Sequence, residues 1–486
     1  MNAPIRRISV AVIALFASLL AMVNYRQVVQ AGDLRDNPGN GRVLLRTYAV
    51  DRGAIAVETG GKATPIADSV ETDDALKYLR RYATGPQYAH VTGFSSYIYG
   101  STGIERAQDR VLSGEDDRLF VERLSDQITG NEPEGGSVVL TLDPAAQAAA
   151  VAGLRGKRGA VVALDPRTGA VLAMVSAPSF DPAALSSHDG DAIRATYGRL
   201  SDDPAQPLLN RAIRQTYPPG STFKVITAAA ALESGLTPDS RIPSPTQLTL
   251  PQTSRPLRNF GGGTCGDGRT TTLSDALRIS CNTAFAQIGL DLDGDEVRDV
   301  ARSFGFGDND LEVPDKVVDS VYPDDLNAPQ RAQSAIGQFD VRVTPLQMAM
   351  VAAGVGNGGR VMRPYLVKQV QAPDLRVLDV AEAEVYSEAV SSSVAAQLTA
   401  MMERVVTDGS ARAAQISGVR VAGKTGTAQH AVGKDPHTWF IGFAPADDPQ
   451  VAIAVIVEEG GDAGSEATGG RVSAPIARAV MQAVLR

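Results

Sequence analysis

The stretch Tyr217-Pro218-Pro219-Gly220-Ser221-Thr222-Phe223-Lys224, followed by VITAAAALESG, constrains the fold more than any other part of the chain. Two prolines and a glycine forbid a helix upstream, and strong helix formers follow. A helix is therefore expected to begin at about Ser221 and to end near Gly235, with Pro238 just beyond. A serine and a lysine three apart in a first turn share one face. The same turn carries unpaired backbone N–H groups and the positive end of the helix dipole, which favour negative charge developing on a substrate oxygen. A serine hydroxyl is a poor nucleophile until a base takes its proton, and Lys224 can be that base if burial or a second cation depresses its pKa. Taken alone, an S-x-x-K is common by chance, and these residues read more readily as a helix cap and a surface lysine. What accompanies them decides.

A chain of 486 residues implies two or three domains, and 43% hydrophobic residues can build a sizeable core. The net charge of −9, without a long basic run, argues against nucleic acid as the main partner. Four His and two Cys are dispersed without metal-ligand spacing, and no cofactor is expected. Arg6 and Arg7 precede an uncharged run over residues 8–23, with Tyr25 and Arg26 after it. This reads as a single membrane-spanning anchor that leaves the amino terminus in the cytoplasm and the rest of the chain outside. A cleaved signal peptide is the rival; the missing small-x-small site after the run favours the anchor.

Residues 1–27 are accordingly read as cytoplasmic tail and anchor, 28–136 as a mostly-β, non-catalytic pedestal or dimerisation-type domain, and 137–486 as the catalytic domain. The pedestal offers strand-like RVLLRTYAV and GAIAVE and a helix over DDALKYLRRYA. From Ser137, SVVLTLD reads as a strand with Asp143 as cap of the helical PAAQAAAVAGL, and GAVVALDPRTGAVLAMVS as a hairpin. Helical patterns follow in VITAAAALE, LSDALRIS, TPLQMAMVAAGVG and SSSVAAQLTAMMERVV. Strands return late in RVAGKTGTAQ, HTWFIGFAP and QVAIAVIVEE, before a closing helix in APIARAVMQAVL. This order fits an α+β domain: one antiparallel sheet, its first and last strands adjacent, flanked by helices.

Two further groups lie in this domain. Ser280-Cys281-Asn282 is expected where the LSDALRIS helix gives way to a loop. Lys424-Thr425-Gly426-Thr427 is expected in a strand, with Lys424 and Gly426 on one face and Thr425 and Thr427 on the other. At Gly426 a substrate could approach the backbone closely. Singly these are weak signals. In the order S-x-x-K, S-x-N, K-T-G they are the motif set of serine penicillin-recognising enzymes. The chain resembles the class B penicillin-binding proteins, and among them the actinobacterial penicillin-binding protein A group. The likeness extends through NPGNGR at residues 37–42, RGAI at 52–55, LDPRTGAVLAMVSAPSFDP, YPPGSTFK, IGQFDVRVTPLQMA and KTGTAQ.

That resemblance implies a penicillin-recognising transpeptidase fold and a peptidoglycan D,D-transpeptidase inhibited by β-lactams. Ser221 would be the nucleophile acylated by a D-Ala-D-Ala stem peptide, Lys224 its base, and Ser280 a proton relay toward the leaving D-Ala. Asn282 would hold the donor amide and steady Lys224. Lys424, with Thr425, Gly426 and Thr427, would bind the terminal carboxylate, and the N–H groups of Ser221 and Thr427 would form an oxyanion hole. A polytopic membrane glycosyltransferase partner is implied in the same way. The middle residue of S-x-N is Cys281, where Asp is common in the wider superfamily; with Cys265 it forms either a disulfide or a pair of buried thiols. A β-lactamase would need a water-activating group, and no E-x-x-L-N loop stands between Ser280 and Lys424. A non-enzymatic sensor would carry further membrane spans, and a pure scaffold would not need all three motifs.

Overall fold

The computed structural model describes residues 3–30, 48–130, 132, 134–254, 256–292, 294–308, 310–431 and 433–486. The NPGNGR segment and most of the expected strand RVLLRTYAV lie outside them. The amino-terminal helix Ala3–Asn24 continues through a π-helical turn, Tyr25–Val29, and buries nothing against the rest of the chain. The 27-residue span Ala3–Val29, whose most apolar window has mean hydropathy 2.1, is long and apolar enough to cross a membrane.

Five antiparallel strands form the central sheet in the order Ala422–Ala428, His437–Ala444, Val451–Val457, Gly159–Leu164, Val171–Ala177. The expected adjacency of first and last strands is met by the pairing of Val451–Val457 with Gly159–Leu164. Strands His437–Ala444 and Val451–Val457 are buried at every residue, which is why they read as continuous rather than alternating apolar runs. Helix Ser473–Val484 packs on them, Pro144–Gly153 packs beside that helix on Val171–Ala177, and Pro345–Gly356 packs on Val451–Val457. Local signals place several helix starts. Asp143 Oδ1 accepts from Ala146 N–H at 2.8 Å, Thr344 caps Pro345–Gly356, and Ser391 caps Ser392–Thr407.

A second sheet of six strands runs Val377–Val380, Val367–Gln371, Ser137–Leu140, Ile55–Thr59, Lys62–Glu71, Tyr78–Tyr82. It therefore takes strands from both sides of position 136. The helix expected over DDALKYLRRYA is instead the strand Tyr78–Tyr82, paired with Lys62–Glu71. Its alternation turns Arg80 and Tyr82 inward onto Glu105, a fully buried carboxylate. Arg80 Nε donates to Glu105 Oε1 at 2.6 Å and Arg52 Nε to Oε2 at 2.7 Å. Pairing and this buried ion cluster outweigh the helical composition.

Candidate active site

Ser221 does not open the helix as expected. Gly220–Thr222 form a 3₁₀ turn, and the α-helix runs Lys224–Glu233. The reason is that the turn is held from outside. The Pro218 carbonyl accepts from Trp439 Nε1 at 3.0 Å, and Gly220 N–H donates to the Gly337 carbonyl at 2.9 Å. Thr222 Oγ1 donates to Pro219 O at 2.8 Å. Gly220 takes φ +52°, and a side chain there would meet Thr427 O at 2.9 Å, so the turn lies directly against the Ala422–Ala428 strand.

Ser280 lies in the turn where helix Leu273–Arg278 ends, as expected, but a second helix, Asn282–Asp291, opens at once, so Asn282 is a helical residue. Ser280 adopts φ +62°, an uncommon conformation for a residue with a side chain. That turn aims both its carbonyl and its hydroxyl at Lys224, whose Nζ donates to Ser280 O at 2.8 Å, to Ser280 Oγ at 3.3 Å and to Asn282 Oδ1 at 2.7 Å. Lys424 Nζ reaches the same hydroxyl at 2.9 Å and also donates to Thr425 O. Both lysines are fully buried. Burial first, and the neighbouring charge of Lys424 second, hold the Lys224 ammonium well below the ordinary lysine range; burial lowers Lys424 to about 7.

The strand alternation is as expected. A side chain at Gly426 would meet Pro219 O and Thr222 Cγ2 at 3.0 Å, so the Lys424 and Gly426 face looks onto the catalytic turn. Thr425 points the other way and shares a 2.6 Å hydrogen bond with Ser410. Ser221, Ser280, Asn282, Thr425, Gly426 and Thr427 all line one groove of about 1490 Å³. All eight residues singled out in the sequence are thus brought together, six on the groove and the two lysines beneath it. Among the described residues the Ser221 hydroxyl has no side-chain hydrogen bond, and Lys224 is occupied by Ser280 and Asn282.

Sequence reasoning missed Asn259 and Ser410. Asn259 Oδ1 accepts from the N–H groups of Asn282 at 2.8 Å and Thr283 at 3.1 Å, capping a helix from 23 residues away because Cys281 supplies no side-chain cap. No local pattern announces a cap from that distance. Cys265 and Cys281 form a disulfide, which resolves the alternative left open above.

A family model described as the penicillin binding protein transpeptidase domain matches residues 159–482, and one described as the penicillin binding protein A dimerisation domain matches 52–138. The chain belongs to the penicillin-binding protein transpeptidase family. This penicillin-binding protein is 47% identical to the peptidoglycan D,D-transpeptidase PbpA of Mycolicibacterium smegmatis, over 100% of this chain and 99% of the relative. It is 46% identical to PbpA of Mycobacterium tuberculosis with the same coverage. The solved penicillin G acyl-enzyme complex of penicillin-binding protein A from M. tuberculosis superposes with a TM-score of 0.85 at 44% identity, covering 90% of this chain and 100% of that one. The ceftriaxone acyl-enzyme of the same protein gives 0.87 at 44% identity, covering 91% and 100%.

Proposed function

We propose that this penicillin-binding protein is a serine D,D-transpeptidase that cross-links peptidoglycan stem peptides and is acylated by β-lactams. The observation that carries the reading is the contact chain Asn282, Lys224, Ser280, Lys424 beside Ser221. A neutral Lys224 amine, keeping two N–H groups for Ser280 O and Asn282 Oδ1 and turning its lone pair to Ser221, takes the Ser221 proton as Oγ attacks the carbonyl between the two D-Ala residues. The N–H groups of Ser221 and Thr427 receive the oxyanion. When the C–N bond breaks, the proton passes from Lys224 through Ser280 to the departing D-Ala amine. Ser280 Oγ accepts from both lysines, which leaves its own hydrogen free to be handed on. Thr425 and Thr427, on the groove, hold the terminal carboxylate while the charge of Lys424 beneath them steers it, and Asn282 holds the donor amide while keeping Lys224 in place. An acceptor amine then attacks the ester, giving its proton to Lys224 and returning Ser221 to the hydroxyl.

The apolar helix is read as a single-pass anchor with a cytoplasmic amino terminus and an extracytoplasmic catalytic domain. Residues 28–136 serve as the pedestal. Sugar polymerisation is assigned to a separate polytopic membrane glycosyltransferase. Fluorescent penicillin tests the enzymatic reading: wild type should be labelled, Ser221→Ala should not, and the label should persist for many minutes. Turnover of penicillin many times per second would instead favour a β-lactamase.

A further inference from the structure

Part of the groove wall is built by residues 256–265. The segment leaves the short strand Pro256–Arg258, turns at Phe260–Gly262, and is tied by the Cys265–Cys281 disulfide to the residue between Ser280 and Asn282. Its backbone is pinned to the reacting groups. Asn282 Nδ2 donates to the Arg258 carbonyl at 3.1 Å, and Asn259 holds the N–H groups of Asn282 and Thr283 while donating to Gly263 O at 3.0 Å. Two side chains of this wall have no structural task. Arg258 is exposed on the groove, and among the described residues its guanidinium makes no ion pair or hydrogen bond. Phe260, also on the groove, is 71% exposed. Lys434, another cation at the rim, already faces Glu459 Oε1 at 3.7 Å.

This inference rests on the transpeptidase reading. There the donor's terminal carboxylate lies at the Lys424 end and its amide at Asn282, so the residues before the penultimate D-Ala pass Asn282 toward Arg258. We infer that Arg258 and Phe260 form a subsite for a carboxylate-bearing arm of the donor stem peptide. The guanidinium fork pairs with the carboxylate, a geometry that suits Arg better than Lys. The phenyl ring covers the methylenes of the arm. A cation left unpaired on a chain of net charge −9 is complemented only when such a ligand arrives.

Three N-acetylated donors ending in D-Ala-D-Ala test this. One carries a carboxylate on the side arm of the residue just before that pair, one has it as a carboxamide, and one has the carboxylate moved one residue earlier. Wild type should use one of the two carboxylate donors about five- to tenfold better in kcat/KM than the amide, as expected for one partly exposed charge-assisted pair. The preferred donor names the stem residue that is read. Arg258→Ala should erase the preference and Arg258→Lys should restore part of it, with penicillin G acylation measured in parallel to normalise for any loss at Ser221. Equal use of all three donors by wild type overturns the proposal without any variant, as does a loss in Arg258→Ala that is the same for every donor. Failure of the transpeptidase reading looks different: penicillin would acylate Ser221 and none of the donors would.

Discussion

Replacing Gly337 by alanine should disable the site without touching any group that reacts. Gly337 takes φ +71°, and its carbonyl accepts the Gly220 N–H that holds the catalytic turn. A methyl group there would lie 2.1 Å from Gly220 O and 2.8 Å from Phe223 Cβ. A relaxed carbon–oxygen contact is about 3.3 Å, so the two backbones must part by about 1 Å. A displacement of about 1 Å at a reacting centre costs about 10²-fold in rate. The positive φ and the overlap together should lower stability by roughly 1–3 kcal/mol. Gly358→Ala is the control, since it has φ +65° but no atom within 4 Å of the new methyl group. It should lose about 1 kcal/mol and acylate normally. Stopped-flow penicillin acylation and thermal unfolding of both variants give the answer. Acylation by Gly337→Ala within threefold of wild type would refute the claim that this contact positions Ser221.

The pH profile of kcat/KM for acylation by a carboxylate-bearing β-lactam should be a bell. Lys224 must be neutral to accept the proton, so the acidic limb lies well below the ordinary lysine value of 10.5; Lys424 loses its charge as pH rises through about 7, which sets the alkaline limb. In Lys424→Ala the like charge is gone, so the acidic limb should move to higher pH and the alkaline limb should vanish. Alkylating reagents should not modify Cys265 or Cys281 under denaturing conditions until a reductant is added, and intact mass should be about two hydrogens below the dithiol value. Glu105→Gln should lower stability by about 3 kcal/mol in urea unfolding, because it leaves the buried Arg80 without its anion while Arg52 keeps Asp109 at 2.8 Å.

The parts of the site legible in the sequence were those with local causes. Pro218-Pro219-Gly220 ahead of a helical run located Ser221 and Lys224 to within one turn, and strand alternation placed Lys424 and Gly426 on one face with Thr425 and Thr427 on the other. The parts that were not legible depend on groups distant in the chain. The 3₁₀ turn at Ser221 exists because Gly337 and Trp439 hold it, and neither is near in sequence. The left-handed Ser280 joins two helices whose packing is tertiary. Asn259 caps Asn282 from across a loop, and Ser410 meets Thr425 from the end of another helix. Residues 78–82 failed for the same reason. Their composition favours a helix, while their partner strand and the buried Glu105 impose an extended chain.

The central claim is that the ester on Ser221 is resolved by an amine, and one experiment addresses it directly. Wild type, incubated with a D-Ala-D-Ala donor and an acceptor amine, should release one D-Ala for each new amide detected by mass spectrometry, and Ser221→Ala should release none. Release of D-Ala in excess of amide at saturating acceptor, with the hydrolysed donor accounting for the difference, would contradict the account.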